Sequence, residues 1–235
     1  MVVNNVKEAK PQINYKYEKK VPDDSIKVTK KGQEEAEEID SSLDGINKSA
    51  AGVKDIVLKD IKEKEGELAM GTDNTEYLFA KGEPWTSKLT LDDIDYADIK
   101  EVGDNYYITI AFNEIEAGKD ASALKKAFDL RDKDEILSSE EFAKTSSYLK
   151  FNDYTVGYKD CRITAVVNRL TDEVTNINYY KAAAVTADMT GVGTFEQYGD
   201  VSVLFTLEDK SNFDLVWESQ LPVSPLDTTT TEPAV

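Results

Sequence analysis

Cys161-Arg162-Ile163-Thr164-Ala165-Val166-Val167-Asn168 and Val201-Ser202-Val203-Leu204-Phe205-Thr206-Leu207-Glu208 are the stretches that decide the fold. In the first, Cys161, Ile163, Ala165 and Val167 alternate with Arg162, Thr164, Val166 and Asn168. In the second, Val201, Val203, Phe205 and Leu207 alternate with Ser202, Leu204, Thr206 and Glu208. Successive side chains of a strand point to opposite faces, so this period of two marks an antiparallel sheet with one strongly apolar side. The same reading predicts a meander at 148–158, 160–168, 174–180, 182–190 and 200–208, closed by 213–217, with 168–173 as one of its turns. Upstream, strands at 96–102 and 105–112 flank Gly103-Asp104 as a hairpin.

One long helix is expected at 33–51. Ala36, Ile39, Leu43, Ile46, Ala50 and Val53 fall three or four apart and form one stripe, and Glu34, Glu35, Glu37 and Glu38 gather at the positive N-terminal end. Shorter helices are expected near 121–128 and 139–144. Together these elements predict an α+β fold: a curved antiparallel β-sheet of about seven or more strands packed around one main α-helix. Residues 1–31, polar and lysine-rich with Pro11 and Pro22, read as an N-terminal leader with one strand at 13–17. Residues 32–218 read as a single domain, and 219–235, with Pro222, Pro225, Pro233 and four consecutive threonines, as a disordered tail.

Composition excludes more than it assigns. A net charge of −18 and a pI near 4.4 repel phosphate backbones, so nucleic acid is not an expected partner. Histidine is absent, which removes the commonest general base and the usual zinc ligand. Cys161 is the only cysteine and sits in the inward register, so it reads as an inert core thiol. No apolar run approaches the ~20 residues that cross a bilayer as a helix.

The chemical motifs tested do not hold. The acids from Asp129 to Asp134, with Glu140, fail as a calcium loop because Arg131 and Lys133 occupy ligand positions and Asp134 stands where glycine is needed. With 46 acidic residues, sequence spacing singles out no catalytic pair. No phosphate-binding glycine loop is present. The expectation is a monomer without metal, cofactor or catalytic residues.

A geometric mismatch suggests a ligand. About seven strands make a sheet roughly 30 Å wide, and one helix covers roughly 10–12 Å of it. The uncovered apolar face would be lined by Ile163, Val185, Val203, Phe205, Leu207 and Phe213. The expected function is therefore a non-catalytic binding module for an apolar or lipid-like ligand. The alternative is a structural or adhesive cell-surface module that binds protein or glycan.

Trp85-Thr86-Ser87-Lys88-Leu89-Thr90, Asp92-Asp93-Ile94 and Asn105-Tyr106-Tyr107-Ile108-Thr109-Ile110 resemble a pattern of uncharacterised secreted proteins or lipoproteins of Firmicutes. The likeness continues through Tyr154-Thr155-Val156, Tyr158, Asp160-Cys161, Ile163, Ala165, Val167-Asn168 and Tyr179-Tyr180. Thr171-Asp172 departs from it, standing where that group carries a Thr-Gly hairpin turn. The resemblance implies an extracellular or envelope-anchored protein and carries no catalytic residues.

Overall fold

The structure, a computed structural model, describes residues 2–22, 25–31, 64–130 and 149–220. The expected helix at 33–51, the one at 139–144 and the tail beyond 220 lie outside these residues. In chain order the elements are α1 (Val2–Ala9), β1 (Gln12–Lys20), β2 (Lys27–Lys30), β3 (Lys64–Leu68), β4 (Ile94–Val102), β5 (Asn105–Phe112), α2 (Ser122–Lys125), β6 (Leu149–Asn168), β7 (Val174–Gly191) and β8 (Asp200–Val216). The strands form one antiparallel sheet in the order β3-β1-β8-β7-β6-β5-β4. β2 pairs with β8 just beyond the stretch that pairs with β1, so the two share one edge of β8.

The expected architecture around one main helix is corrected here. The described residues are mostly antiparallel sheet with two short helices, a sandwich-like arrangement. Among the described residues the apolar face is covered by Leu78 and Phe79 from the loop after β3 and by Leu124, Ala127 and Phe128 in and after α2, all buried. Residues 2–22 and 25–31, expected as a leader, contribute to the sheet and its core. Val6 of α1 and Ile13 of β1 are fully buried, and β1 lies between β3 and β8.

The meander has fewer and longer strands than its alternation implied. Segments 148–158 and 160–168 merge into β6 through a bulge between Lys159 and Arg162. Segments 174–180 and 182–190 merge into β7, and 200–208 joins the following residues as β8. The hairpin about Gly103-Asp104 forms as expected, with Gly103 at φ 60° taking the left-handed turn position. After β5 the chain runs back along β6, where the Ile115 and Tyr158 backbones exchange two 2.8 Å hydrogen bonds. Here glycine is required: a Cβ on Gly157 would lie 2.9 Å from the Ala117 nitrogen and 3.0 Å from the Ile115 oxygen.

The inward face carries two apolar clusters. In the larger, Phe79, Phe128, Tyr179 and Phe213 meet edge to face, with ring centroids 4.7 to 6.5 Å apart. The smaller gathers Val28, Ala187, Met189, Val201 and Val203. A charged row separates them: Asp209 Oδ2 lies 3.0 Å from Lys181 Nζ and 3.8 Å from Lys19 Nζ. Lys181 and Asp209 tolerate this position because each answers the other's charge.

A second ion pair ties the loop before β4 to the residue after α2. Both Asp93 oxygens lie 2.7 Å from Lys126 Nζ, and the Thr90 backbone N–H and hydroxyl donate to Oδ2. Lys126 first, and then Thr90, hold the Asp93 carboxyl down to about 2.

Phe213→Ala removes a fully buried ring from the larger cluster and should cost about 3–5 kcal/mol in denaturant unfolding, with the half-buried Phe205→Ala costing less. Asp93 has a folded-state pKa below its unfolded one, so its contribution is complete above about pH 4 and lost as pH falls toward 2. The stability gap between the wild type and Asp93→Asn should therefore be constant near neutrality and shrink across that acid window.

Candidate functional site

The six residues expected to line an apolar groove all face inward, but they do not form one lining. Phe213 is fully buried in the larger cluster, and Ile163 packs against it. Val203 is buried in the smaller cluster with half-buried Phe205 against it. Val185 stands opposite Phe205, and Leu207 opposite Ala183, both half-buried along the intervening stretch. The Lys19–Asp209–Lys181 row interrupts the face between Leu207 and the Phe213 cluster. Cys161 is buried, and burial pushes its thiol up to about 11 despite the opposing Ala182 backbone contact and Lys181 charge. At neutral pH it is therefore a protonated core group.

The opposite face of the same strands holds a shallow depression of about 240 Å³. Two cross-strand rows build it. One runs Lys16, Asn212, Asn178, Thr164 across β1, β8, β7 and β6. The next runs Glu18, Lys210, Tyr180, Arg162 across the same strands. Neighbouring strands lie ~4.8 Å apart, so each row spans roughly 15 Å.

The floor is a chain of side-chain amides. Asn178 donates to Asn176 Oδ1 at 2.5 Å, and Asn176 donates to Asn212 Oδ1 at 2.9 Å and Asp214 Oδ1 at 2.6 Å. Asn212 in turn donates to Asp214 Oδ2 at 2.9 Å. The donated hydrogens thus lead toward the Asp214 carboxylate, which polarises the series and fixes the amide orientations.

Above the floor, Tyr180 lies between two cations. The Arg162 guanidinium carbon is 4.2 Å from its ring centroid and Lys210 Nζ is 5.7 Å away. This cation–π contact holds Arg162 in place without consuming its charge. Lys16 lies 2.8 Å from Glu18, whose carboxylate also feels Lys210, so three cations share the lining with one carboxylate. Burial, and after it Glu208, raises the Tyr180 phenol, which stays protonated and able to donate at neutral pH. The result is a positive, donor-rich patch on a chain whose net charge is −18. Such a patch attracts anionic groups and offers no nucleophile–base pair.

Sequence reading passed over this site because it followed the inward register. Arg162, Thr164, Asn178, Tyr180, Lys210 and Asn212 are the outward partners of that alternation, and their meeting depends on cross-strand register. Comparison with family models, curated proteins and solved structures finds no match. Among the described residues, no helix is long and apolar enough to cross a membrane.

Proposed function

We propose that the chain is a non-catalytic binding module that recognises an acidic glycan on the polar face of its sheet. The observation that carries this reading is the Lys210–Tyr180–Arg162 row, two cations flanking a phenol above an amide floor in a strongly acidic chain. A glycan lying across the strands meets ammonium, phenol and guanidinium in turn, and its hydroxyls meet Asn178, Asn212 and Thr164. The open geometry suits a chain-like ligand better than an enclosed small molecule. A site of action outside the cytoplasm, where acidic glycans are exposed, is part of the same proposal.

An apolar ligand is the second reading. It rests on the half-buried Val185, Phe205 and Leu207 between the two clusters, where each buried CH₂ contributes about 0.8 kcal/mol before ordering costs.

Calorimetric titration with oligogalacturonate, alongside a neutral oligosaccharide of the same length, separates the outcomes. The acidic chain should bind, more weakly as salt rises above ~0.15 M. Arg162→Gln and Lys210→Gln should each weaken it by about tenfold, the effect of losing one charge-assisted contact. Both variants should leave unfolding within ~0.5 kcal/mol of the wild type. Equal binding of both sugars, or unchanged affinity in both variants, would remove the acidic-glycan reading. Saturable binding of an apolar fluorophore without sugar binding would transfer the function to the inward face.

A further inference from the structure

Lys7 is 3 % exposed, yet it is not paired with a carboxylate in the usual way. From α1 its Nζ donates to three backbone carbonyls of one loop: Ala80 at 2.5 Å, Glu83 at 2.7 Å and Trp85 at 3.0 Å. An ammonium has three hydrogens, and all three are used. Glu83, Glu76 and Asp73 add a negative field, while burial, the larger influence, lowers the ammonium to about 8.

The loop holds its own shape. Gly82 N–H donates to Thr75 O at 3.0 Å, Glu83 N–H to Ala80 O at 3.3 Å, and Tyr77 and Leu78 N–H both to Asn74 O at 3.1 Å. Other contacts fasten α1 to the same region. Thr86 donates to Asn4 Oδ1 through its backbone N–H at 2.9 Å and its hydroxyl at 2.5 Å, and Asn74 Nδ2 donates to Val6 O at 3.0 Å. These bonds hold the segment that carries the three carbonyls against α1.

Backbone carbonyls that converge at these distances replace the hydration shell of a large monovalent cation, as in potassium-selective filters. Magnesium and calcium take shorter oxygen contacts, about 2.0–2.1 Å and 2.3–2.6 Å, and draw on carboxylates. We propose that the carbonyls of Ala80, Glu83 and Trp85 form a binding site for a monovalent cation of ammonium or potassium size, with Lys7 as its tethered occupant. Lys7 and a free cation are then alternative occupants of one cage, and docking of α1 is in part a cation-binding event. This site is separate from the polar-face depression, and neither reading depends on the other.

The test is Lys7→Ala, which empties the cage, melted in chlorides of lithium, sodium, potassium, ammonium and methylammonium at matched ionic strength. Its midpoint should fall below the wild type in lithium and sodium. Ammonium, methylammonium and potassium should recover several degrees, saturably. The wild type should show no such preference, and Lys7→Met, which refills the space without charge, should show the loss without the recovery. Recovery that is equal in all five salts, absent in all five, or matched by the wild type would overturn the proposal. So would a Lys7→Ala chain that stays unfolded even at high ammonium, because refilling the cage should restore its fold.

Discussion

Between Lys159 and Arg162, β6 spends two residues where β7 spends one: Lys159 stands opposite Ala182, and Arg162 opposite Tyr180. This bulge puts both halves of a 20-residue strand into a single inward register. Before it, Tyr154, Val156 and Tyr158 face inward; after it, Cys161, Ile163, Ala165 and Val167 do. Without the extra residue, one half of β6 would turn its apolar side chains to water. Asp160 makes the change of parity possible by adopting φ 54°, a left-handed conformation that aspartate tolerates better than most residues. The same step sends Arg162 outward beside Tyr180, so the core and the candidate site share one geometric cause.

Much of the sheet was legible because period-two alternation is local and does not require knowledge of partners. The hairpin about Gly103-Asp104 and the turn at 168–173 were legible too, since turn chemistry is written in adjacent residues. Strand length was not. Lys181 and the Lys159-Asp160 pair look like punctuation in an apolar pattern, yet β7 and β6 run straight through them. Lys181 is accommodated by Asp209, twenty-eight positions away in sequence but opposite it in the sheet. The burial of Ile13 and Val6 was illegible for the same reason: β1 takes its place from β8, at the other end of the chain. Leu78 and Phe79 fall in a stretch whose apolar run at 76–79 reads as a strand but forms turns and bends, and Phe128 lies just past α2, at the end of the helix expected near 121–128. That these side chains cover the core depends on long-range packing that no local pattern carries. The candidate site was present as the outward half of the alternation, but its rows draw on four strands and exist only in register.

A common principle connects the cations of this acidic chain: position decides what each one is for. Lys181, turned inward, is answered by the Asp209 carboxylate. Lys7, buried in the N-terminal helix, is answered by a set of carbonyls. Arg162 and Lys210, turned outward, are answered by a π face that steadies them and leaves their charge available. Two of these arrangements fasten the fold; the third is the one on which the proposed glycan reading rests. The opposed faces of β6, β7 and β8 thereby divide the labour, one packing aromatic rings and the other presenting amides and cations.

The register of β6 against β7 is the most direct thing to measure, through Hα–Hα and amide nuclear Overhauser contacts in isotopically labelled protein. The account predicts Ile163 opposite Tyr179 above the bulge and Val156 opposite Val185 below it, with Asp160 and Cys161 together facing Lys181. An unbroken register, with Val156 opposite Thr186, would contradict it. It would turn Tyr154, Val156 and Tyr158 outward and dissolve the shared origin of the core and the polar face.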